Sequence, residues 1–353
     1  MVARALLDEL TYGAVSRRER PVASHLPYTR HVDDHIIKTR DGLVMTILKL
    51  DGYSFETSDM SEVNARLLGR NDVVRTLANS RFALAGHIIR REVQPRIDST
   101  FDNPLCRELD ERYDAALSQR RMFVNDIYLT IVRRPLQGQA GTFDVMLTKL
   151  LGRKDEAGES VAGQTALTEL RDAATAVREN LAGYGARQLG VVRREGIWFS
   201  EPLEFLVQLL NGGIPRPMHL PRMNIADALS MKRLFFGRNA IEIRGAGPED
   251  TRFGAMVSIR EYPAQTGPGS FDNLLRVPHE FIATQTFAIV DRPEAAKQID
   301  RVSRQVDMSD EAGSIVAEHL DDARDELLAS EAIYGEHHMT VMCLGRNLGE
   351  VGA

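Results

Sequence analysis

Hydrophobic and polar positions along the chain switch between a period of two and a period near 3.6, and the switches mark out its elements. Residues 3–10 fit a short helix, and 14–27 read as a linker carrying Ser, Arg and Pro. The β-like runs His35–Lys38 and Leu43–Leu50 then flank Arg40-Asp41-Gly42, and Asp-Gly in that setting predicts a hairpin. From about Asp59 the apolar positions Val63, Leu67, Val74 and Leu77 fall at helical spacing, with Glu62 placed for a capping box. Phe82–Arg91 predicts a strand, and Asn103-Pro104 opens a helix reaching about Arg121. Ile127–Val132 predicts another strand, closed by Pro135. Residues 137–142 and 152–163 read as loops, 164–183 as helix, Gln188–Arg193 as strand and 201–211 as helix. The segment NGGIPRPMHLPRM is crowded with Pro and Gly and marks the best boundary, near 212–224.

Beyond that segment the first pattern returns. Arg233–Arg244 carries a hairpin signal at Gly237-Arg238-Asn239, and Phe253–Tyr262 predicts a strand. A helix over 270–276, a strand over 281–290 and a helix over 292–305 follow. A long helix is expected from Ser309 to about Ser330, with Val316, Leu320, Ala323 and Leu327 in one stripe and an acidic outer face. A strand over 338–344 precedes a helix starting at Asn347. Hairpin, helix, strand, helix, strand, helix thus occurs twice, over about 34–194 and again from near 233. The expected fold class is α+β: two lobes of mixed sheet packed with helices, read as a duplicated ferredoxin-like unit. The expected division is 1–27 helix and linker, 28–211 first lobe, 212–232 connector and 233–353 second lobe. That second lobe is expected to be cut within its last helix, leaving a frayed end after about Gly345.

A length of 353 residues suits two subdomains. The formal charge of −6 counts against a dedicated nucleic-acid binder, and 6% aromatics against a base-stacking platform. Cys106 and Cys343 are the only cysteines, too few for a disulfide framework, so a reducing cytoplasm is expected. No run approaches the roughly 18 apolar residues of a spanning helix, so the chain is expected to be soluble or peripheral to a membrane.

The candidate chemistry is mostly negative. A phosphate-cradling P-loop reads G-x-x-x-x-G-K-[ST], and none of the lysines at 38, 49, 149, 154, 232 and 297 follows a Gly. Thr266-Gly267-Pro268-Gly269-Ser270 sits like such a loop but lacks the Lys, and Pro268 removes a donor; a turn is expected. Phe287-Ala288-Ile289-Val290-Asp291 resembles a Mg-binding strand end, and is read as a buried strand ending in a helix cap. His31 and His35 would lie about 13 Å apart on an extended chain, too far for one metal. His337 and His338 would point to opposite faces, one packed and one exposed. Three predicted strands end in two arginines each: Arg90-Arg91, Arg133-Arg134 and Arg193-Arg194. If those strands are parallel neighbours, the six form one basic rim facing acidic lipid headgroups or an acidic partner. The other reading is solvated strand ends paired with acidic helices.

The block FGAMVSIREYPAQTGPGSFDNLLRVPHEFIATQTFAIVDR, followed by SDEAGSIVAEHLDDARDELLASEAIYGEHHMTVMCLG, carries the strongest identifying signal. Upstream of it, in order, stand HVDDHIIKTRDGLVMTILKLDGYSFET, FVNDIYLTIVRRP, LNGGIPRPMHLP and RLFFGRNAIEIRG. From about Tyr28 to Gly345 this series resembles the N-terminal domain of the CagE/TrbE/VirB family of type IV secretion (conjugation) ATPases. The resemblance implies a cytoplasmic ATPase, peripheral at the bacterial inner membrane, that energises transfer of DNA or protein across the envelope. It implies that this N-terminal part docks a small inner-membrane VirB-type subunit and other channel components, and contributes to a homo-oligomer. ATP and Mg are expected only in a C-terminal P-loop domain, so no cofactor, metal or catalytic residue is expected in this chain. The alternatives are a single-stranded-DNA-contacting module, a stand-alone noncatalytic secretion subunit, or a nucleotide hydrolase with an unusual site.

Overall fold

A computed structural model describes residues 19–53, 59–77, 81–94, 100–134, 161–260, 262, 270–307, 313–329 and 333–352. The helix expected at 3–10, the loop at 137–142 and most of the Gly-Pro-Gly turn lie outside these residues. The elements run β1 (Tyr28–His31), β2 (Ile36–Thr39), β3 (Val44–Leu50), α1 (Met60–Thr76), β4 (Phe82–Val93), α2 (Pro104–Ser118) and β5 (Met122–Arg133). Then come α3 (Val161–Asn180), β6 (Arg187–Gln188), β7 (Val191–Arg194), β8 (Ile197–Ser200), α4 (Glu201–Leu210), α5 (Ile225–Leu229), β9 (Arg233–Phe236) and β10 (Ile241–Arg244). The remainder is β11 (Arg252–Ser258), α6 (Asp272–Arg276), β12 (Glu280–Ile289), α7 (Arg292–Asp307), α8 (Gly313–Ala329), β13 (Gly335–Gly345) and α9 (Leu348–Gly352).

The fold is α+β, built on one large antiparallel sheet ordered β1-β2-β3-β5-β4-β12-β13-β11-β10-β9, with β6 pairing β3. Read inward from either edge, the order is the same: β1-β2-β3-β5-β4 and β9-β10-β11-β13-β12. In each half, two strands joined through a helix (β3 to β4, β11 to β12) are separated in the sheet by the strand that follows, the split arrangement of a ferredoxin-like unit. The repeat of element order is therefore also a repeat of topology. The halves meet where β4 and β12 pair antiparallel, from Ala83↔Ala288 to Arg90↔Phe281, so a single sheet spans both.

Side-chain alternation sends neighbouring strand residues into different cores. Ile36, Leu48, Leu84 and Ile131 pack with Val73 of α1, with Leu77 just past its end, and with Leu170 and Val177 of α3. Ile37, Ile47, Ile89 and Tyr128 pack on the other face with Leu203, Phe205 and Leu206 of α4. Ile243, Ile282 and Leu344 join that second cluster, so it crosses from one half to the other. The Pro/Gly-rich connector takes part: Gly212 and Gly213 adopt φ of 68° and 84°. A β-carbon on Gly212 would stand 3.2 Å from Ile243, and one on Gly213 3.5 Å from Ile89. The connector bridges the halves across a shared core.

Local details depart from the sequence reading in three places. Glu62 pairs with Arg66 at 3.1 Å and makes no capping box. The strand expected over Gln188–Arg193 is broken at Leu189-Gly190, where a β-carbon on Gly190 would collide with the His35 ring. His337 and His338 are both exposed. At the other end of that half, α9 is largely exposed.

Candidate functional site

The six arginines do not form one rim. Strands β4 and β5 are antiparallel, with Phe82 opposite Arg133 and Arg91 opposite Val124. That register puts Arg90-Arg91 and Arg133-Arg134 at opposite ends of the strand pair. The reason lies in α2: a helix linking parallel strands must cover the sheet, and no residue of α2 is buried. It is an excursion between adjacent strands, and its chain returns antiparallel. Arg193 and Arg194 stand apart in the β7–β8 hairpin, whose turn is Glu195-Gly196 at positive φ.

Each arginine has its own surroundings. Arg90 is buried over the Phe123 ring and donates to the Val277 carbonyl at 3.2 Å and to Asn125 Oδ1 at 3.1 Å. Arg133 donates from Nε to Glu169 at 2.9 Å, and Arg81 shares that carboxylate. Arg134 donates to the Ile289 carbonyl at 2.7 Å, tying the first half to the second. Arg193 is exposed beside Trp198. Arg91 and Arg194 do come together, in one cleft.

That cleft has a volume of about 350 Å³ and is lined largely by charged side chains. Alternation again explains its floor: Lys49 of β3 lies directly opposite Tyr128 of β5, and Asp126, two residues earlier, shares the same face. Arg91 Nε donates to Asp126 Oδ2 at 2.8 Å, and Lys49 Nζ stands 3.8 Å from Asp126 Oδ1. The wall is the first turn of α4. Ser200 caps it by accepting from the Leu203 amide, and Glu201 and Glu204 sit where the helix dipole favours anions. Arg187 donates to Glu201 at 2.9 Å, and Arg194 donates to Glu204 at 2.7 Å. Those bonds hold the Arg194 guanidinium above its usual range. Pro215, Arg216 and Pro217 of the connector close the rim.

The polar groups at the base are fixed. Gln208 is buried and donates to Asp126 at 3.3 Å and to the Gly213 carbonyl at 3.2 Å, while the Tyr128 hydroxyl donates to Gln208 at 3.3 Å. Burial first, and Asp126 second, push Tyr128 up to about 12, so it stays a phenol at neutral pH. These side chains present charged and hydrogen-bonding groups to the cleft. The histidines are engaged elsewhere: His31 Nε2 lies 2.9 Å from Ser200 Oγ, and His35 Nδ1 lies 2.9 Å from the Leu189 carbonyl. Among the described residues no His, Cys, Asp and Glu group could hold a metal. Asp291 starts α7 through its carbonyl, which accepts from Glu294 and Ala295. Sequence reading missed Lys49, Asp126, Arg187, Glu201, Glu204 and Arg216. Only Glu201 and Glu204, paired acids in a predicted first turn, left a signal.

A second surface feature is apolar. Leu105, Leu109 and Tyr113 recur at every fourth residue along α2, and all three are exposed. No helix among the described residues is long and apolar enough to cross a membrane.

The chain is similar to known proteins over nearly its whole length. Residues 35–140 match the family model for the type IV secretion system ATPase VirB4/TrbE, N-terminal domain. Residues 187–351 match the model for the CagE, TrbE, VirB family, component of type IV transporter system. The type IV secretion system protein virB4 of Bartonella henselae is 31% identical over 328 residues, covering 93% of this chain and 41% of that relative. Protein virB4 of Agrobacterium tumefaciens is 28% identical, covering 96% of the chain and 42% of the relative. Type IV secretion system protein PtlC of Bordetella pertussis is 26% identical, covering 96% and 40%. The chain thus spans about two fifths of the length of these relatives.

Proposed function

The chain belongs to the CagE/TrbE/VirB family of type IV transporter components, and from that premise we propose that it is the docking and assembly part of a type IV secretion ATPase. Homology to VirB4, TrbE and PtlC proteins supports a role in a type IV secretion system. One observation carries the docking reading: residues 35–140 match the N-terminal domain of these ATPases, and the sequence has no G-x-x-x-x-G-K-[ST]. These residues offer surface, and nucleotide chemistry falls to sequence outside this chain, where ATP and Mg bind. The docking part works at the cytoplasmic face of the bacterial inner membrane. It contacts a small VirB-type membrane subunit and other channel components, and copies of the intact protein oligomerise. The outward stripe of α2 supports this, because an exposed apolar row invites a partner. The single-stranded DNA reading is less well supported, since Arg91, Arg133 and Arg194 are each bound to a carboxylate.

Affinity capture tests the proposal. The tagged chain, co-expressed with the inner-membrane subunits of its own secretion system, is expected to retain at least one of them through washing. Purified chain is expected to show no ATP turnover. Failure to capture any subunit, or turnover lost on mutating the chain's own residues, would sink it.

A further inference from the structure

The cleft holds more hydrogen-bond donors than its own carboxylates use. Lys49, Arg91, Arg187, Arg194 and Arg216 line it, against Asp126, Glu201 and Glu204. Arg216 is paired outside the cleft with Asp250 at 2.6 Å, but Asp250 also pairs Lys232 at 2.9 Å, so the excess stays at two cations. The acids are occupied. Both oxygens of Glu201 accept from Arg187, and one also accepts from the Gly190 amide. Both oxygens of Glu204 accept from Arg194. The bases are not. Among the described residues, Arg91 bonds only through Nε, and Arg187 only through Nη1. Lys49 Nζ, 3.8 Å from Asp126, has an ion pair without a hydrogen bond.

We propose that this cleft receives an acidic segment of a partner polypeptide, with two side-chain carboxylates meeting the spare donors of Arg91, Arg187 and Lys49. Two monoanions match the excess of two cations. A phosphate dianion would instead gather its charge at one point beside three fixed carboxylates, a poorer match. Pro215 and Pro217 are exposed and supply apolar walls for the aliphatic stems of Asp, Glu and their neighbours. Arg in this role favours planar carboxylates, which its fork can bind bidentately. The inference rests on the docking reading and specifies the partner's chemistry and the surface it meets.

Fluorescence anisotropy on the purified chain tests it, with a short labelled peptide of alternating Glu and Leu and a control carrying Lys for Glu. The Glu peptide is expected to bind and the Lys peptide to fail, with affinity falling as salt rises. Lys49→Gln with Arg187→Gln is expected to weaken binding roughly tenfold, about 1.4 kcal/mol. Glu201→Gln, which releases Arg187, is expected to tighten binding, a sign that loss of folding cannot imitate. Equal binding of both peptides overturns the proposal, as does an unchanged affinity in the Lys49/Arg187 variant. So does displacement of the peptide by inorganic phosphate or ATP at lower concentration than the peptide itself requires. Capture of secretion subunits by the same proteins separates the two claims. If the variant loses the peptide but still captures subunits as well as wild type does, the cleft is not the docking surface and the docking reading stands. If wild type binds the peptide yet captures nothing, the docking reading fails and the cleft's chemistry stands.

Discussion

Replacing Arg252 should unsettle the second half of the sheet far more than an ordinary arginine change. Arg252 on β11 reaches over the end of β13 to Glu280 on β12, and both of its terminal nitrogens donate to that carboxylate. Side-chain exposure is 13% for Arg252 and 9% for Glu280, so this is a buried pair. Arg252→Met removes the cation and leaves Glu280 with the Glu92 amide, at 3.0 Å, as its remaining donor. Breaking a buried pair from one side costs about 3–5 kcal/mol, a large share of the roughly 5–15 kcal/mol that holds a protein folded. The urea slope of small proteins is about 1–3 kcal/mol per molar and rises with size; at the upper end, which suits a chain of this length, the unfolding midpoint should drop by about 1–2 M. Arg252→Met combined with Glu280→Leu should recover most of that loss, because two apolar groups of similar volume leave no stranded charge. Chemical denaturation of the four proteins in the cycle measures both effects. A single variant within about 1 kcal/mol of wild type would mean that water reaches the pair. A double variant as weak as the single would mean that packing, and not charge, is what the pair supplies.

Burial beside Phe205 pushes His87 down to about 4 from 6.5, so the unfolded chain takes up its proton first as the medium acidifies. Its contribution is complete above pH 6.5 and is lost as pH falls toward 4, by about 3 kcal/mol; His87→Phe should remove that part of the slope in a urea-midpoint profile. Gly212→Ala should cost about 1–2 kcal/mol, since φ there is 68° and Ile243 stands close by; an unchanged midpoint would contradict the packed connector. Leu109→Glu on α2 should leave stability within about 0.5 kcal/mol while reducing capture of secretion subunits, and a large fall in thermal midpoint would show the stripe is covered within the chain.

Most elements were legible because their signals are local. Asp41-Gly42 turns the β2–β3 hairpin, with Gly42 at φ 81°. Asn103 caps α2 by accepting from the Leu105 amide, as Asn before Pro foretells. The twofold element order survives as the mirrored strand order of the sheet. Strand direction was not legible, and α2 shows why. Its row of Leu105, Leu109 and Tyr113 has the spacing of a helix that covers a sheet, so nothing local separates parallel from antiparallel neighbours, and the single basic rim was conditional on the parallel case. In the fold the row faces outward and the rim dissolves. The cleft was illegible for a related reason: Lys49, Asp126 and Glu201 meet only through cross-strand register and the seating of α4, neither of which leaves a pattern in nearby sequence. Both features have a bearing on function. An apolar row that the chain's own sheet does not use, and donors that its own carboxylates do not fill, are both unspent recognition capacity. Both are the kind of surface on which the docking role proposed for this chain would draw.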